Sequence, residues 1–207
     1  MPAIDLAAFE ASPLQRDPFD YVVVPGFVPS AALAGIGVDF PQIDKPGSFP
    51  VGEASYGPAF RALLDEFATP EVRGAFERKF GIDLSDRPLM VTVRGRCRQK
   101  DGRIHTDSKT KIITVLIYLN PKGDDGIANL RLLRSADDIE DYAAEVPPEN
   151  GTLLAFRRSD SSYHGHKPFV GERHVVQFNW VTDAKVVLRE QARHRFSARL
   201  KRLLPVA

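Results

Sequence analysis

Two histidines and one aspartate in the second half of the chain are the residues best suited to bind a metal ion. His105 and Asp107 are separated by one residue, and alternate residues of a β-strand point to the same face. An imidazole and a carboxylate at this spacing can therefore hold one cation. The motif also arises by chance, and a surface turn after Asp101 and Gly102 is the alternative interpretation.

A second histidine-containing segment, with His164 and His166, lies further along the chain. A ligand brought by such a distant strand would complete a set of two histidines and one carboxylate, which leaves positions open on non-haem Fe(II). A structural zinc site would instead be closed by four protein ligands, usually including thiolates. The chain has one cysteine, Cys97, which excludes a Cys-based zinc cage and an internal disulfide.

The elements around these candidate ligands are short β-rich runs separated by turn residues. This pattern predicts an all-β sandwich or barrel over residues 88–183. The runs are Leu89 to Val93, Ile112 to Leu119, Leu130 to Leu133, Thr152 to Phe156 and His174 to Val181.

Helical patterns flank the β region on both sides. Apolar residues recur at helical spacing at positions 60, 63, 64 and 67 and again at 72, 76 and 80, after a short predicted strand from Tyr21 to Val24. Residues 184–207 combine basic residues with an apolar stripe and predict an amphipathic helix. This helix could pack on its own subunit, form a dimer contact or bind an anionic surface. We expect packing within or between subunits. The stripe comprises Leu188, Ala192, Phe196, Leu200 and Leu203.

Length and charge restrict the class of protein. The 207 residues suit one domain over 1–207, comprising a helical support region at 1–87, a β core at 88–183 and a C-terminal helix at 184–207. A net charge of +1 provides no field to attract nucleic acid or acidic lipid. No apolar run approaches the ~20 residues that span a bilayer, and the N-terminus is acidic where a signal peptide is basic. We expect a cytoplasmic protein with no nucleic-acid or membrane partner, and a homodimer is open.

Taken together, the segments between residues 88 and 183 resemble the 2-oxoglutarate and Fe(II)-dependent dioxygenases, in the branch similar to the prolyl 4-hydroxylases. His105 and Asp107 match the family's His-x-Asp motif. His164 matches its distal histidine, and Pro168 and Arg173 follow at the family's spacing. Residues 113–120 and 151–156 are similar to the strand after the first ligands and to the strand that delivers the distal histidine.

The resemblance implies an α+β fold with a mainly β core, in which a double-stranded β-helix, or jelly roll, is backed by N-terminal helices. It implies Fe(II) bound by His105, Asp107 and His164, with no catalytic residue beyond the metal centre. The co-substrates would be 2-oxoglutarate and O2, with ascorbate as a reductant. The reaction would release succinate and CO2 and hydroxylate an unactivated C–H bond.

The resemblance also assigns two residues to the co-substrate. Arg173 matches the basic residue that pairs with the distal carboxylate of 2-oxoglutarate, a group that a guanidinium fork binds well. Tyr118 matches a tyrosine whose hydroxyl assists at the same carboxylate. The alternatives are a salt bridge between Arg173 and Glu172 and a packed core aromatic at Tyr118.

His166 is a second candidate ligand close to His164. The spacing to Pro168 and Arg173 favours His164, which leaves His166 as a group beside the metal ligands or facing the substrate.

Two segments differ from the family pattern. Ile127 and Ala128 stand where the family often has paired glycines, so the close backbone approach that glycines allow is in doubt. The basic segment 94–100, which includes Arg96, lacks the family's tyrosine. It meets an acidic substrate or the second carboxylate region, or it forms a solvated face. A jelly-roll or cupin-like isomerase and a non-catalytic binding module are the alternative functions, and the sequence does not identify the substrate.

Overall fold

A computed structural model of the protein describes residues 2–120, 128–189 and 192. The helices are α1 (Leu6–Ala11), α2 (Ser30–Asp39), α3 (Pro58–Phe67) and α4 (Pro70–Phe80), with a 3-10 turn at Val51–Glu53. The strands are β1 (Tyr21–Val24), β2 (Phe49–Pro50), β3 (Leu89–Cys97), β4 (Lys111–Tyr118), β5 (Leu130–Leu133), β6 (Tyr142–Val146), β7 (Leu153–Arg157), β8 (His164–Gly165) and β9 (Gly171–Val181). Helical backbone follows at 184–189.

The strands form two antiparallel sheets. The larger sheet has six strands in the order β1-β7-β4-β9-β3-β2, and the smaller has three in the order β6-β5-β8. In the larger sheet, Val115 of β4 lies between Ala155 of β7 and Phe178 of β9. Leu130 and Leu132 of the smaller sheet share a buried cluster with residues of the larger one. The two sheets therefore pack face to face.

One face of the larger sheet packs against the helices, and we call its β4 and β9 residues the helix face. Phe67 of α3 stacks on Phe178 with ring centroids 3.9 Å apart, and Phe76 of α4 lies 4.8 Å from Trp180. Burial of such side chains stabilises the fold by roughly 1.5 to 3 kcal/mol each. The helix face comprises Ile113, Val115, Ile117, Val176, Phe178 and Trp180.

The opposite face of β4 and β9 points toward the smaller sheet, and we call it the cavity face. Because side chains alternate along a strand, the polar residues between the apolar ones all point to this side. The residues of the cavity face are Thr114, Leu116, Tyr118, Arg173, Val175 and Gln177, and all six line one cavity.

Local sequence signals explain the helix that backs the sheet at α4. The Thr69 hydroxyl accepts from the backbone N–H of Val72, and Pro70 begins the helix, as expected for an N-cap followed by proline. Gly81 ends it with φ +64°, a conformation that favours glycine.

The predicted α+β architecture with a mainly β core is confirmed, including β1, β5, α3 and α4. The strands β2, β6 and β8 were not predicted, since β2 and β8 have two residues each and the Tyr-Ala-Ala-Glu-Val sequence of β6 has weak β propensity. Both β1 and β2 join the larger sheet, so this sheet extends beyond residues 88–183. The single-domain organisation remains a prediction.

The C-terminal stripe is only partly described. Leu188 is 60% exposed and Ala192 is exposed, so neither packs against the described part of the chain. Phe196, Leu200 and Leu203 lie outside the described residues. Within the described ranges, no helix combines the length and apolar character required to cross a bilayer.

Candidate metal centre and co-substrate pocket

The fold brings the three predicted metal ligands together. His105 and His164 pair through two backbone hydrogen bonds, from His105 N to His164 O at 3.1 Å and from His164 N to His105 O at 3.0 Å. One ligand atom from each of His105, Asp107 and His164 lies within 4.8 Å of the others. Asp107 and His164 are buried, whereas His105 is exposed. Two histidines and a carboxylate thus converge with one side open.

Both histidines are oriented by backbone carbonyl groups. His105 Nδ1 lies 2.8 Å from Arg103 O, and His164 Nδ1 lies 3.0 Å from Ser162 O. A hydrogen bond to a carbonyl oxygen requires a proton on Nδ1. In the neutral ring this leaves the lone pair of Nε2 free. Burial lowers the pKa of His164 to about 4, against an opposing effect of Asp107. The neutral ring that a metal requires is therefore the resting form at neutral pH.

Asp107 is held as a carboxylate. Lys111 Nζ donates to its Oδ1 at 2.7 Å, and Thr114 Oγ1 donates to its Oδ2 at 2.5 Å. Burial alone would raise the pKa of Asp107, but the charges of Lys111 and His164 and the two hydrogen bonds lower it to about 2. The three groups match the donor set of a two-histidine, one-carboxylate Fe(II) site.

A cavity of about 280 Å³ between the two sheets contains the candidate ligands together with Tyr118 and Arg173. We call it the inner cavity. Leu116, Phe156 and Val175 provide apolar wall. The residues that the resemblance assigned to metal and co-substrate therefore line one cavity.

Arg173 and Tyr118 are buried, and some of their hydrogen-bonding groups have no partner among the described residues. Arg173 is 4% exposed, and its Nη1 donates to Ala128 O at 2.6 Å. Its Cζ lies 5.5 Å from the ring centroid of Tyr118. The Tyr118 hydroxyl has no partner that meets hydrogen-bond geometry among the described residues. Burial raises its pKa, against the opposing charge and nearby N–H groups of Arg173.

This arrangement fits an anionic ligand. No ion pair within the described ranges joins Arg173 to a carboxylate, and Glu172 instead lies 4.0 Å from Arg96 and from His174. An unpaired buried charge costs several kcal/mol, and an unpaired buried hydroxyl costs about 1 to 3 kcal/mol. One carboxylate placed between Arg173 and Tyr118 would relieve both.

His166 lies in the wall of the inner cavity but not among the three clustered ligands. Its backbone N–H donates to Gly102 O at 2.9 Å, and its Nδ1 lies 2.7 Å from Lys167 O. Burial first, and the charge of Arg173 second, lower its pKa to about 4. His166 thus presents a neutral ring beside the ligand space.

The basic segment contributes Arg94, not Arg96, to the inner cavity. Arg94 Nη1 lies 3.1 Å from Asp101 Oδ2, and Nη2 lies 3.3 Å from Ser48 Oγ. The pairing of β3 with β9 shifts register between Arg94 and Arg96, which breaks strict alternation. Gly95, between the two arginines, is the residue that signals this bulge, since glycine inside a strand often marks one.

Lys111, Thr114 and Gln177 are site residues that the sequence prediction missed. All three line the inner cavity. A usable signal was present, because Thr114 precedes Tyr118 by four residues and Gln177 follows Arg173 by four, which places each on the same strand face as its partner.

A wider groove of about 640 Å³ adjoins the metal centre, and we call it the outer groove. It shares His105, Asp107 and Lys111 with the inner cavity, and Val186 and Arg189 of the C-terminal helical segment form part of its wall. A substrate approaching the metal from this side would therefore contact residues beyond the β core.

Comparison with known families agrees with the geometry. A model of the 2OG-Fe(II) oxygenase superfamily matches residues 95–182, the segment that carries every candidate ligand. Over this segment the chain is similar to the superfamily. No curated protein matches the chain.

Solved structures of similar fold include two named as prolyl 4-hydroxylases and one named as a 2OG-Fe(II) oxygenase. A prolyl-4-hydroxylase of Pseudomonas putida is 15% identical with a TM-score of 0.57, over 87% of this chain and 92% of that one. An oxidoreductase of the 2OG-Fe(II) oxygenase family from Burkholderia pseudomallei is 13% identical (TM-score 0.53; 86% and 91% covered). A prolyl 4-hydroxylase of Phytophthora capsici is 20% identical (TM-score 0.53; 89% and 64% covered). The predicted jelly-roll fold is confirmed.

Proposed function

We propose that this protein is an Fe(II)- and 2-oxoglutarate-dependent hydroxylase, with Fe(II) held by His105, Asp107 and His164. The observation that carries the proposal is the inner cavity. It contains this donor set together with Arg173, which has no carboxylate partner among the described residues, and Tyr118. A jelly-roll isomerase would need the metal ligands but not a buried cation for a distal carboxylate.

Each residue of the site then has a defined role. Arg173 and Tyr118 hold the distal carboxylate of 2-oxoglutarate, and this contact fixes the orientation of the co-substrate. Asp107 stays charged and His164 stays neutral at physiological pH, so no proton must be displaced from either when the metal binds. The apolar wall of Leu116, Phe156 and Val175 limits water in the cavity. When bound together, Fe(II), 2-oxoglutarate and O2 supply the chemistry that releases succinate and CO2 and hydroxylates a C–H bond.

The substrate class to test first is a prolyl residue, either free or in a peptide, because several proteins of similar fold are named prolyl 4-hydroxylases. Ascorbate as a reductant and a cytoplasmic location belong to the same proposal. His166 and Arg94 face the ligand space and are the residues that we expect to lie near the substrate or co-substrate.

The test is succinate release from 2-oxoglutarate in the presence of Fe(II) and O2, first without substrate and then with proline, proline-containing peptides, other amino acids and sugars. We expect slow Fe(II)-dependent release by the protein alone and faster release with the true substrate. The Asp107→Ala variant should release none. Absence of Fe(II)-dependent succinate from the wild-type protein in every condition would favour an isomerase or a binding module.

A further inference from the structure

The carboxylate of Asp107 is the start of a buried polar chain that leads across the larger sheet. Thr114 Oγ1 lies 2.5 Å from Asp107 Oδ2 and 3.1 Å from Asn179 Oδ1. Gln177 Nε2 lies 3.1 Å from the same Asn179 oxygen. Thr114 and Asn179 are each 1% exposed and face each other on β4 and β9. The chain therefore connects Asp107 with Gln177 on the cavity face.

The hydrogens of this chain restrict how its groups are oriented. Thr114 has one hydroxyl proton but faces two oxygen acceptors, and the carboxylate of Asp107 is the stronger of them. The Asn179 Nδ2 group is buried and has no partner among the described residues, which costs about 1 to 3 kcal/mol. Turning the Asn179 amide by 180° lets Nδ2 donate to Thr114 Oγ1 and leaves the threonine proton to Asp107. The turn moves Oδ1 to the position without a partner, where a carbonyl oxygen is tolerated better than an N–H group.

The same turn determines the orientation of Gln177. With Nδ2 of Asn179 beside it, Gln177 must present Oε1 as an acceptor, and its two Nε2 protons are then directed away from Asn179. Gln177 lines both the inner cavity and the outer groove, so these protons are available at the boundary between the two spaces.

We propose that Thr114, Asn179 and Gln177 form a directional hydrogen-bond chain that positions Asp107 Oδ2 and ends in an amide donor at the boundary of the two cavities. The proposal rests on the proposed function, since the positioned carboxylate is a ligand of the metal. Thr114 and Asn179 are positioning residues, which act through Asp107. Partners of this kind typically contribute 10- to 100-fold to metal affinity.

The test is the dissociation constant of Co(II), measured by calorimetry for the wild type and for Thr114→Val, Thr114→Ser and Asn179→Leu, with the melting temperature of each metal-free protein. We expect Thr114→Val to weaken Co(II) binding about 10- to 100-fold, Thr114→Ser to restore it to within about threefold, and Asn179→Leu to weaken it by a smaller factor. The matched control is Thr152→Val, because Thr152 is also buried but lies outside the lining of both cavities. It should bind Co(II) like the wild type.

Unchanged Co(II) affinity in both Thr114→Val and Asn179→Leu, at whatever melting temperature, would overturn the proposal. If Thr114→Val does not fold, Asn179→Leu and Thr114→Ala decide by the same criterion. Failure of the wild-type protein to bind Co(II) would instead contradict the proposed metal site, so the two failures are distinct.

Discussion

The helix face and the cavity face of β4 and β9 differ in what their side chains contact. On the helix face the residues are apolar and pack against the phenylalanines of α3 and α4. On the cavity face Tyr118 and Arg173 are equally buried. Among the described residues, the Tyr118 hydroxyl lacks a hydrogen-bond partner and the Arg173 guanidinium lacks a carboxylate. The helix face thus supplies stability, whereas the cavity face gives up stability to keep polar groups ready for a ligand, as functional sites often do.

The largest effect on stability should come from the helix face. Phe67→Ala removes a fully buried ring that stacks on Phe178, and we expect a loss of about 3 to 5 kcal/mol in the free energy of unfolding. Leu116→Ala on the cavity face should cost less than half of that, because Leu116 already borders a cavity. Denaturant unfolding of the two variants measures the difference, and equal losses would contradict the division between the faces.

The pH dependence of stability should reveal the buried neutral histidine. The pKa of His164 is about 4 in the folded protein, below the ordinary value of 6.5, so the unfolded chain binds the proton more tightly. The contribution of neutral His164 to the free energy of unfolding is fully present above about pH 6.5. It is lost as the pH falls toward 4, and the total loss is about 3 kcal/mol. Unfolding of the metal-free protein between pH 7 and 4 should show this loss. His164→Gln should have a flatter profile, and a parallel profile would show that His164 is not the cause.

Removal of the buried cation should affect the co-substrate more than the fold. We expect Arg173→Met to weaken 2-oxoglutarate binding about 100-fold, since a carboxylate would lose its charged partner. Its stability should equal that of the wild type or exceed it, because the methionine leaves no unpaired charge. Calorimetry with the metal-loaded protein measures the affinity, and Arg157→Met, at an exposed residue of β7, is the control. Normal affinity in Arg173→Met would remove the co-substrate role of Arg173.

The smallest effect on stability and affinity should come from removing one oxygen atom, the hydroxyl of Tyr118. Tyr118→Phe removes a buried hydroxyl without a partner, so the variant without ligands should be more stable by about 1 kcal/mol. The affinity for 2-oxoglutarate should fall about tenfold, which corresponds to the loss of one hydrogen bond to a charged group. A lower melting temperature in the ligand-free variant would show that the hydroxyl has a partner in the protein.

The sequence predicted the strands and the principal ligands for different reasons. The β-rich runs at 112–119 and 174–181 follow from composition and turn residues and need no knowledge of the site, but the face that each residue takes was not predicted. His105 and Asp107 were candidates from their spacing. A family resemblance then favoured His164 and assigned Arg173 and Tyr118, and the structure places the five residues together. Lys111 and Thr114 were missed because their importance depends on which atoms of Asp107 they reach, and Asn179 was missed because its importance depends on its contact with Thr114. Arg94 was missed because a register shift decides which arginine of β3 points inward.

The central claim is that the metal centre and the pair of Arg173 and Tyr118 form one site for one co-substrate. Anaerobic calorimetric titration of 2-oxoglutarate into the Fe(II)-loaded and the metal-free wild-type protein tests it most directly. We predict binding of one molecule per chain to the Fe(II)-loaded protein and binding at least tenfold weaker to the metal-free protein, because only the loaded site offers both ends of the ligand a partner. Equal affinity in the two forms, or no binding to the Fe(II)-loaded form, would contradict the account.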